Sequence, residues 1–282
     1  MLPSATDHLT MRDGVPLALQ QWAPASAAIG TIVIAHGLGE HVGRYAQLAG
    51  ELTGAGWLVR AADHRGHGRS PGVRGAIPAE ESVRDDLIEQ LVAARATTRG
   101  PVVLLGHSMG GAFAAWAIAH QPDAADALIL SSPALVADLS AVQRALMNTM
   151  RHVAPNLTVG NGLDVSFISH DRAVIDAYTT DPLVHDRVSS RLARAIMTAG
   201  AAARGAAAQW RTPTLLIYAG DDRLVNPRGS QAFAASAPAG VVTARRFDGF
   251  YHELFNETER ARPVRAVLDW LGELAGPQAT AG

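Results

Sequence analysis

Residues 102–111, VVLLGHSMGG, constrain the fold of this chain more than any other stretch. The run begins with four apolar residues typical of a buried strand and then reaches Ser108, which stands between Gly106 and Gly110. The alanine-rich residues 111–120 predict a helix. The two glycines leave room for the backbone to fold back sharply, so that the serine hydroxyl projects away from the sheet. We call residues 106–110 the elbow and predict that Ser108 is a nucleophile.

The spacing Gly-x-Ser-x-Gly is weak evidence on its own. With 27 glycines among 282 residues, it would occur around a serine by chance with a probability of roughly one in eight. The rest of the chain supplies the context. Asp13 and Gly14 predict a hairpin turn, after which short apolar runs alternate with helical patterns. The runs that predict strands are residues 31–35, 57–62, 102–105, 127–132, 214–218 and 241–247.

This alternation predicts an α/β fold, with a mostly parallel central sheet and helices on both faces. In such sheets the active site lies beyond the carboxyl ends of the strands. Residues 136–209 interrupt the alternation, because they show helical segments and no strand-like run. A stretch of that length predicts an inserted helical cap rather than a loop. The expected organisation is an α/β core of residues 1–135 and 210–282 with a cap of residues 136–209.

The predicted cap is rich in leucine and methionine, whose side chains adapt to flexible acyl chains. We expect most of its apolar residues to pack the cap onto the core and a few to line a tunnel. A transient contact of the cap with a lipid surface is a further expectation. The apolar cap residues are Leu139, Val142, Leu146, Met147, Met150, Val153, Leu157, Phe167, Ile168 and Met197.

Composition excludes several classes of function. A formal net charge of −2 gives no basis for a nucleic-acid partner, and the absence of cysteine excludes disulfides and thiolate chemistry. The first residues lack the features of a signal peptide, and the longest tract of small apolar residues, 199–208, is too short to span a bilayer. We therefore expect a soluble cytoplasmic protein with a disordered tail at residues 276–282. Nothing in the sequence indicates an oligomeric state.

A serine nucleophile needs a base, because its hydroxyl is protonated at neutral pH and must lose that proton as it attacks. Where a Gly-x-Ser-x-Gly elbow opens a helix in an α/β sheet, the acid and then the histidine follow along the chain. Of the eleven histidines, only His252 lies after the strand predicted at residues 214–218. This order predicts that His252 is the base, against the simpler interpretation of a histidine in a surface loop.

Several aspartates are candidates for the acid. One carboxylate must accept a hydrogen bond from the second imidazole nitrogen, which holds the tautomer and stabilises the imidazolium. Asp221 and Asp222 are adjacent after the strand at residues 214–218, and only one of them can do so. Asp138 and Asp248 are alternatives, although either also fits an ordinary loop position.

Four further histidines raise the question of a metal site. They are His36, His41, His64 and His67. They show neither His-Glu-x-x-His nor another recognisable ligand spacing, so we expect no metal. The preferred interpretation is structural: His64, Arg65 and His67 pin a loop near the elbow through hydrogen bonds, and His107 is part of the turn.

Five short motifs occur in order along the chain. They are HGLGEH at residues 36–41, DHRGHGRS at 63–70, GHSMG at 106–110, DRLV at 222–225 and YHE at 251–253. Together they resemble the monoacylglycerol lipase branch of the α/β-hydrolase superfamily, in its bacterial form. The resemblance covers nearly the whole chain; within residues 136–209 it rests on Tyr178 and the DPLV of residues 181–184 alone. It implies an α/β-hydrolase fold with a cap, and no metal or cofactor.

The resemblance also selects an acid. In that family the aspartate stands three residues before a valine, in a Gly-x-x-Asp-x-x-Val pattern, and counting back from Val225 gives Asp222. The glycine of the pattern is Ala219 here, and Gly220 is displaced by one position. Asp221 therefore stays as the alternative.

Four more site residues follow from the resemblance. The backbone N–H groups of Leu38 and Met109 are implied to form the oxyanion hole, which holds the negative charge that develops on the carbonyl oxygen. Glu40 and Arg44 are implied to lie near the glycerol-binding end of the pocket. A plain surface ion pair is the alternative for these two residues.

These expectations combine into a serine hydrolase of carboxylic esters, whose partner is a small-molecule ester or lipid. The preferred substrate is a monoacylglycerol, cleaved to fatty acid and glycerol through an acyl-enzyme. A lysophospholipase, a broad short-chain carboxylesterase and an aminopeptidase-type amidase are alternatives, because related chains share the same catalytic residues. A ligand-binding protein with a hydrolase fold is the alternative outside the enzymes.

Overall fold

The computed structural model describes residue 3 and residues 5–136, 149–150 and 153–275. The strands, in chain order, are β1 Ala5–Thr10, β2 Pro16–Trp22, β3 Gly30–Ala35, β4 Trp57–Ala62, β5 Val102–His107, β6 Ala127–Ser131, β7 Thr158–Gly160, β8 Arg187–Ser189, β9 Thr214–Ala219 and β10 Val242–Phe247. The α-helices whose full extent is described are α1 Ala46–Gly54, α2 Ser82–Thr97, α3 Ser108–His120, α4 Arg172–Thr180, α5 Ser190–Ala206, α6 Arg228–Ser236 and α7 Ala261–Ala275.

Eight of the strands form one sheet in the order β1-β2-β4-β3-β5-β6-β9-β10. Strands β1 and β2 are antiparallel to their neighbours, and all pairs from β4 to β10 are parallel. The mostly parallel sheet with helices on both faces confirms the expected α/β-hydrolase architecture. It brings the carboxyl ends of β3, β5, β9 and β10, which precede the predicted site residues, to one edge of the sheet.

The apolar run of β5 is buried because helices cover the sheet on both sides. Val102 and Leu104 pack in the cluster that contains α2, α3 and α5, whereas Val103 and Leu105 pack in the cluster that contains α1 and α7. Successive side chains of a strand point to opposite faces, so a strand covered on both faces must be apolar throughout. This is the physical reason for the continuous apolar pattern seen in the sequence.

The predicted hairpin is confirmed: β1 and β2 are antiparallel with Leu9 opposite Leu17, and Gly14 adopts a φ of +84°. The predicted strands of the main sheet are also confirmed, with small shifts at their ends. Helix α3 begins at Ser108, three residues earlier than expected. The elbow therefore passes directly into the first turn of the helix.

The structure corrects the expectation that residues 136–209 hold no strand. Strands β7 and β8 pair as an antiparallel ribbon, with Val159 opposite Val188. Each has three residues, which is too short to produce a recognisable period of two. Helix α5 packs against α3, and its Leu192, Ala195 and Ala199 belong to the same buried cluster. The segment is anchored to the sheet domain through α5, and its role as a cap stays a prediction.

Part of the predicted cap lies outside the described residues. The residues concerned are Leu139, Val142, Leu146 and Met147, and Asp138 and the tail at residues 276–282 also lie outside. Among the described cap residues, Ile168 is buried, whereas Val153 and Leu157 are exposed. In residues 5–136 and 153–275 the structure contains no helix long and apolar enough to cross a membrane.

Candidate active site

The elbow holds Ser108 in a strained backbone conformation. Its φ is +55°, a left-handed value that costs a non-glycine residue about 1–3 kcal/mol. A Cβ on Gly106 would lie 2.6 Å from the carbonyl oxygen of Gly110, and a Cβ on Gly110 would overlap the carbonyl oxygen of Ala35. The chain passes too close to itself here for any side chain. Both glycines are therefore required by the turn that presents Ser108.

His252 lies in the loop after β10 and is bound to Asp222, which follows β9. Its Nδ1–H donates to Asp222 Oδ2 at 2.7 Å, and both side chains are buried. The other carboxylate oxygen of Asp222 accepts the backbone N–H groups of Leu224 and Val225, each at 2.9 Å. The carboxylate is thus fixed from both sides, which leaves His252 Nε2 free to meet a third group.

The other candidate aspartates do not meet His252. Asp221 is exposed, and its backbone N–H donates to the carbonyl oxygen of Phe250. Asp248 is exposed as well and pairs with Arg246 at 2.6 Å. Asp138 lies outside the described residues. Among the described aspartates that the sequence offers, Asp222 is the partner of His252.

Burial and charge act in opposite directions on this pair. Burial alone would lower the pKa of His252, but the Asp222 carboxylate raises it above the ordinary value. Burial alone would raise the pKa of Asp222, and His252 together with the two backbone N–H groups lowers it. The arrangement keeps Asp222 ionised, and the charge of Asp222 favours the protonated form of His252. A general base needs this stabilisation because it carries the proton of the nucleophile during the reaction.

Ser108, Leu38 and Met109 line one open cleft of about 810 Å³. A Cβ on Gly37 would lie 3.3 Å from Ser108 Cβ, so the loop after β3 passes directly beside the serine. Met109 is the second residue of α3, and N–H groups in the first turn of a helix have no acceptor within it. The loop after β3 and the start of α3 therefore flank the serine on two sides.

Glu40 and Arg44 lie in a buried network rather than on the surface. Arg44 Nη1 donates to Glu40 Oε2 at 2.7 Å, and the guanidinium also pairs with both carboxylate oxygens of Glu253 at 2.7 and 2.6 Å. The exposed fractions of these side chains are 5% for Glu40, 10% for Arg44 and 7% for Glu253. The alternative of a surface ion pair is therefore wrong. Neither Glu40 nor Arg44 is among the residues that line the cleft beside Ser108, and substrate contact by them stays a prediction.

The histidines near the elbow make the structural contacts expected of them. His36 Nε2 accepts the backbone N–H of His64, and His67 Nδ1 donates to the carbonyl oxygen of Arg65. Burial lowers the pKa of His36, His64 and His67 well below the ordinary value, so these rings are neutral. Arg65 binds the carboxylate of Asp86 at 2.7 Å. His107 donates to the Ser131 carbonyl oxygen at 3.1 Å, consistent with its expected place in the turn.

Comparison with known proteins identifies the family of this chain. Residues 26–259 match the family described as serine aminopeptidase, S33. The chain belongs to this family. It is 36% identical over 262 residues to a monoacylglycerol lipase of Mycolicibacterium smegmatis, with 92% of this chain and 93% of that protein covered. It is 34% identical over 276 residues to an uncharacterized abhydrolase domain-containing protein of Dictyostelium discoideum, of whose length it spans 29%.

A solved structure from the same comparison has the same fold. The crystal structure of Paleococcus ferrophilus monoacylglycerol lipase is 33% identical and has a TM-score of 0.82, with 90% of this chain and 98% of that chain covered. Together these similarities confirm the α/β-hydrolase fold, the resemblance to monoacylglycerol lipases and the expected class of enzyme, an ester hydrolase.

In this member of the serine aminopeptidase S33 family, the described residues of the segment 136–209 that line the cleft are not among those expected. Val136, Leu163 and Ile196 line it, and none of the described residues proposed from leucine and methionine content does so. Leu163 lies in an irregular segment with no periodic pattern, and Ile196 directly precedes Met197 on α5. A sequence pattern does not separate the side of α5 that meets the cleft from the side that meets α3.

Proposed function

We propose that the protein is a serine hydrolase that cleaves monoacylglycerols to fatty acid and glycerol, with Ser108, His252 and Asp222 as its catalytic triad. The observation that carries the proposal is the buried 2.7 Å contact of His252 Nδ1 with Asp222, in the same fold as a strained serine that opens into a cleft. The similarity to monoacylglycerol lipases supports the substrate class.

The reaction has two halves. Ser108 Oγ attacks the ester carbonyl carbon while His252 Nε2 takes its proton, and the leaving alkoxide receives that proton as the acyl-enzyme forms. Water then attacks the acyl-enzyme with His252 again as the base, which releases the fatty acid and restores the serine. Asp222 holds the imidazole tautomer and stabilises the imidazolium in both halves.

The oxyanion is held by the backbone N–H groups of Leu38 and Met109. Both residues line the cleft with Ser108, Leu38 from the loop after β3 and Met109 from the first turn of α3. Preorganised donors of this kind stabilise the tetrahedral intermediate without reorganisation during the reaction. The chemistry uses no metal or cofactor.

The cleft fits a small acyl ester. Its volume of about 810 Å³ is in the range of pockets for drug-sized molecules, and much of its lining is apolar. Val136, Leu163 and Ile196 contribute to that lining from the predicted cap of residues 136–209. In this proposal the cap shapes the acyl site and gives the protein its transient contact with lipid.

A fluorophosphonate probe tests the mechanism directly. We expect one covalent adduct on Ser108 in the folded protein, and we expect Ser108→Ala to abolish both the adduct and ester hydrolysis while leaving the fold intact. Ser132→Ala is the matched control, because Ser132 also has a positive φ, of 41°, and directly follows the neighbouring strand β6. The control is expected to keep the adduct. Labelling that persists in Ser108→Ala, or hydrolysis near that of the unchanged protein, contradicts the assignment.

A substrate panel separates the enzymatic alternatives. It contains monoacylglycerols of short to long chain, a diacylglycerol, a lysophospholipid and an aminoacyl amide, with Ser108→Ala as the blank. The proposal expects the highest kcat/KM for a monoacylglycerol. A higher kcat/KM for the lysophospholipid or the amide would change the proposed substrate and leave the proposed triad unaffected. Absence of any fluorophosphonate adduct would favour a ligand-binding protein.

A further inference from the structure

Two loops of the proposed active site are joined by one buried guanidinium. Arg44 binds Glu40 in the loop after β3 and Glu253 in the loop after β10, at 2.6 to 2.7 Å. Glu253 is the residue after His252, and Glu40 is two residues after Leu38. We call Glu40, Arg44 and Glu253 the strap. It connects the loop that carries the proposed oxyanion donor to the loop that carries the proposed base.

At one end, the strap fixes the backbone beside the serine. Glu40 Oε1 accepts the backbone N–H of Gly37 at 2.6 Å and the hydroxyl of Tyr45 at 2.7 Å. The carboxylate therefore folds back onto its own loop and sets the orientation of the peptide next to Leu38. A shift of Glu40 would move the backbone of Gly37, whose N–H it binds. This backbone lies directly beside the serine, because a Cβ on Gly37 would be only 3.3 Å from Ser108 Cβ.

At the other end, the strap fixes the loop of the base. Both oxygens of Glu253 bind Arg44, and Oε2 also accepts Asn256 Nδ2 at 2.9 Å. The backbone N–H of Glu253 donates to the carbonyl oxygen of Ile168 at 2.8 Å. Glu253 is thus held through its side chain and its backbone, which leaves little freedom for the neighbouring His252.

The strap also carries more negative than positive charge. Two carboxylates share one guanidinium, and the other donors that the structure records on these carboxylates are neutral N–H and O–H groups. A buried charge without a counter-charge is costly, so an excess of one carboxylate calls for a cation nearby. The adjacent His107 does not supply it, because burial lowers the pKa of His107 to about 4.

His252 adjoins the strap, because it directly precedes Glu253 in the chain. The charges that act on it are those of Asp222 from the loop after β9, Glu40 from the loop after β3 and Glu253 on its own loop, and His107 at the end of β5 lies beside its ring. Arg44 pairs with Glu253. The rings of His107 and His252 have centroids 4.7 Å apart. When His252 takes the proton of Ser108, its imidazolium interacts with the excess negative charge of the strap in addition to its pairing with Asp222.

We propose that Glu40 and Glu253, joined through Arg44, are positioning residues that hold the Leu38 amide and His252 in register and favour the imidazolium of His252. This inference rests on the proposed function. It gives the protein a second source of negative charge at the base besides Asp222, contributed by a network of which no residue lines the cleft beside Ser108.

The effects of charge on the individual groups agree in direction. Burial would lower the pKa of His252, and after Asp222 the carboxylates of Glu253 and Glu40 raise it. Burial would lower the pKa of Arg44, but Glu253 and Glu40 raise it well above the ordinary value, so the guanidinium stays charged. Burial would raise the pKa of Glu40, but Arg44 lowers it, so this carboxylate stays ionised.

The test compares two variants of the strap by their pH profiles of kcat/KM on a soluble short-chain ester. Glu253→Gln keeps the shape of the side chain and removes its charge. We expect the acid limb to move to lower pH by about 0.5 to 1 unit, because His252 then loses its proton more readily.

Arg44→Lys keeps the charge but loses the planar guanidinium that spans two carboxylates. We expect it to lower kcat roughly ten- to a hundredfold, with little change in the midpoint of the acid limb.

Glu51→Gln is the matched control. Glu51 forms an equivalent two-pronged pair with Arg260, at 2.7 and 2.8 Å, which also bridges 209 positions of sequence. It touches neither proposed loop residue, so its kcat and its pH profile are expected to match those of the unchanged protein. Near-ultraviolet circular dichroism checks the fold of every variant. Glu40→Gln, with the same expected shift of the acid limb, replaces Glu253→Gln if the latter does not fold.

The outcomes distinguish the two proposals. If the unchanged protein takes no fluorophosphonate adduct and cleaves no ester, the proposed function fails. If it is labelled and active, but Glu253→Gln leaves kcat within twofold and the acid limb unmoved, the strap proposal alone is overturned. A loss of activity in Glu253→Gln at every pH with an unmoved acid limb also overturns it, because that result describes a structural ion pair only.

Discussion

Replacing Asp222 by asparagine tests the triad with the smallest change of shape. The asparagine keeps an acceptor for the backbone N–H groups of Leu224 and Val225, which now bind Oδ1 at 2.9 Å. It removes the negative charge that faces His252. It also allows an amide N–H to point at His252 Nδ1, and this selects the tautomer that carries its proton on Nε2, where the base must be free.

The expected loss follows from the geometry. With Oδ2 2.7 Å from Nδ1, the centres of the two charges lie about 4 Å apart, and Coulomb's law with an effective dielectric constant of 20 gives about 4 kcal/mol. A factor of ten in rate corresponds to about 1.4 kcal/mol, so lost charge stabilisation lowers kcat by about 10³. The wrong tautomer brings the total near 10⁴.

The assay is kcat on a soluble short-chain ester, together with the rate of fluorophosphonate labelling. Asp221→Asn is the matched control, because Asp221 is the adjacent aspartate, is exposed and makes no contact with His252. We expect the control to retain at least half of the unchanged activity. A kcat for Asp222→Asn within tenfold of the unchanged protein, or a large loss in Asp221→Asn, would refute the assignment of the acid.

Two further predictions concern stability. Gly110→Ala puts a Cβ against the carbonyl oxygens of Ala35 and His36, and we expect a loss of about 1–3 kcal/mol with a lower Tm by calorimetry. Gly272→Ala, on α7 with open space around it, is the control and is expected to gain about 0.5–1 kcal/mol; equal Tm changes in the two variants would contradict the crowding argument. Lowering the pH is expected to destabilise the fold below about pH 6.5, because neutral buried histidines take up protons only on unfolding. As the pH falls from about 6.5, each of these histidines lowers the free energy of unfolding by up to about 1.4 kcal/mol per pH unit. This decrease ends near the pKa of the histidine in the folded protein, which is about 4 for His107. The urea midpoint measured between pH 7.5 and pH 4.5 checks this, and a constant midpoint would contradict it. The histidines concerned are His36, His64, His67 and His107.

Much of the fold follows from local features of the sequence. The apolar runs, the Asp13-Gly14 hairpin and the elbow could be predicted because side-chain periodicity and turn chemistry act over a few residues. Ribbon β7-β8 could not, since three residues are too few to establish a period. The packing of α5 against α3 was also not predicted. The buried Leu192, Ala195 and Ala199 recur at helical spacing, but such a pattern identifies a buried side and not the helix that covers it.

The sequence by itself determined which residue types the proposed chemistry can use and in what order they occur. Ser108 between glycines and a single late histidine are properties of the linear chain. The tertiary structure decided which of two adjacent aspartates meets His252, because the path of the chain after β9 turns Asp222 inward and Asp221 towards solvent.

The strap is the clearest feature that only the tertiary structure decided. Arg44 and Glu253 are 209 positions apart, and nothing local to either residue encodes their contact. They meet because parallel strands bring the loops at their carboxyl ends to one edge of the sheet, whatever the distance along the chain. The sequence shows which residues each loop contains, and the order of the strands in the sheet determines which other loops it contacts.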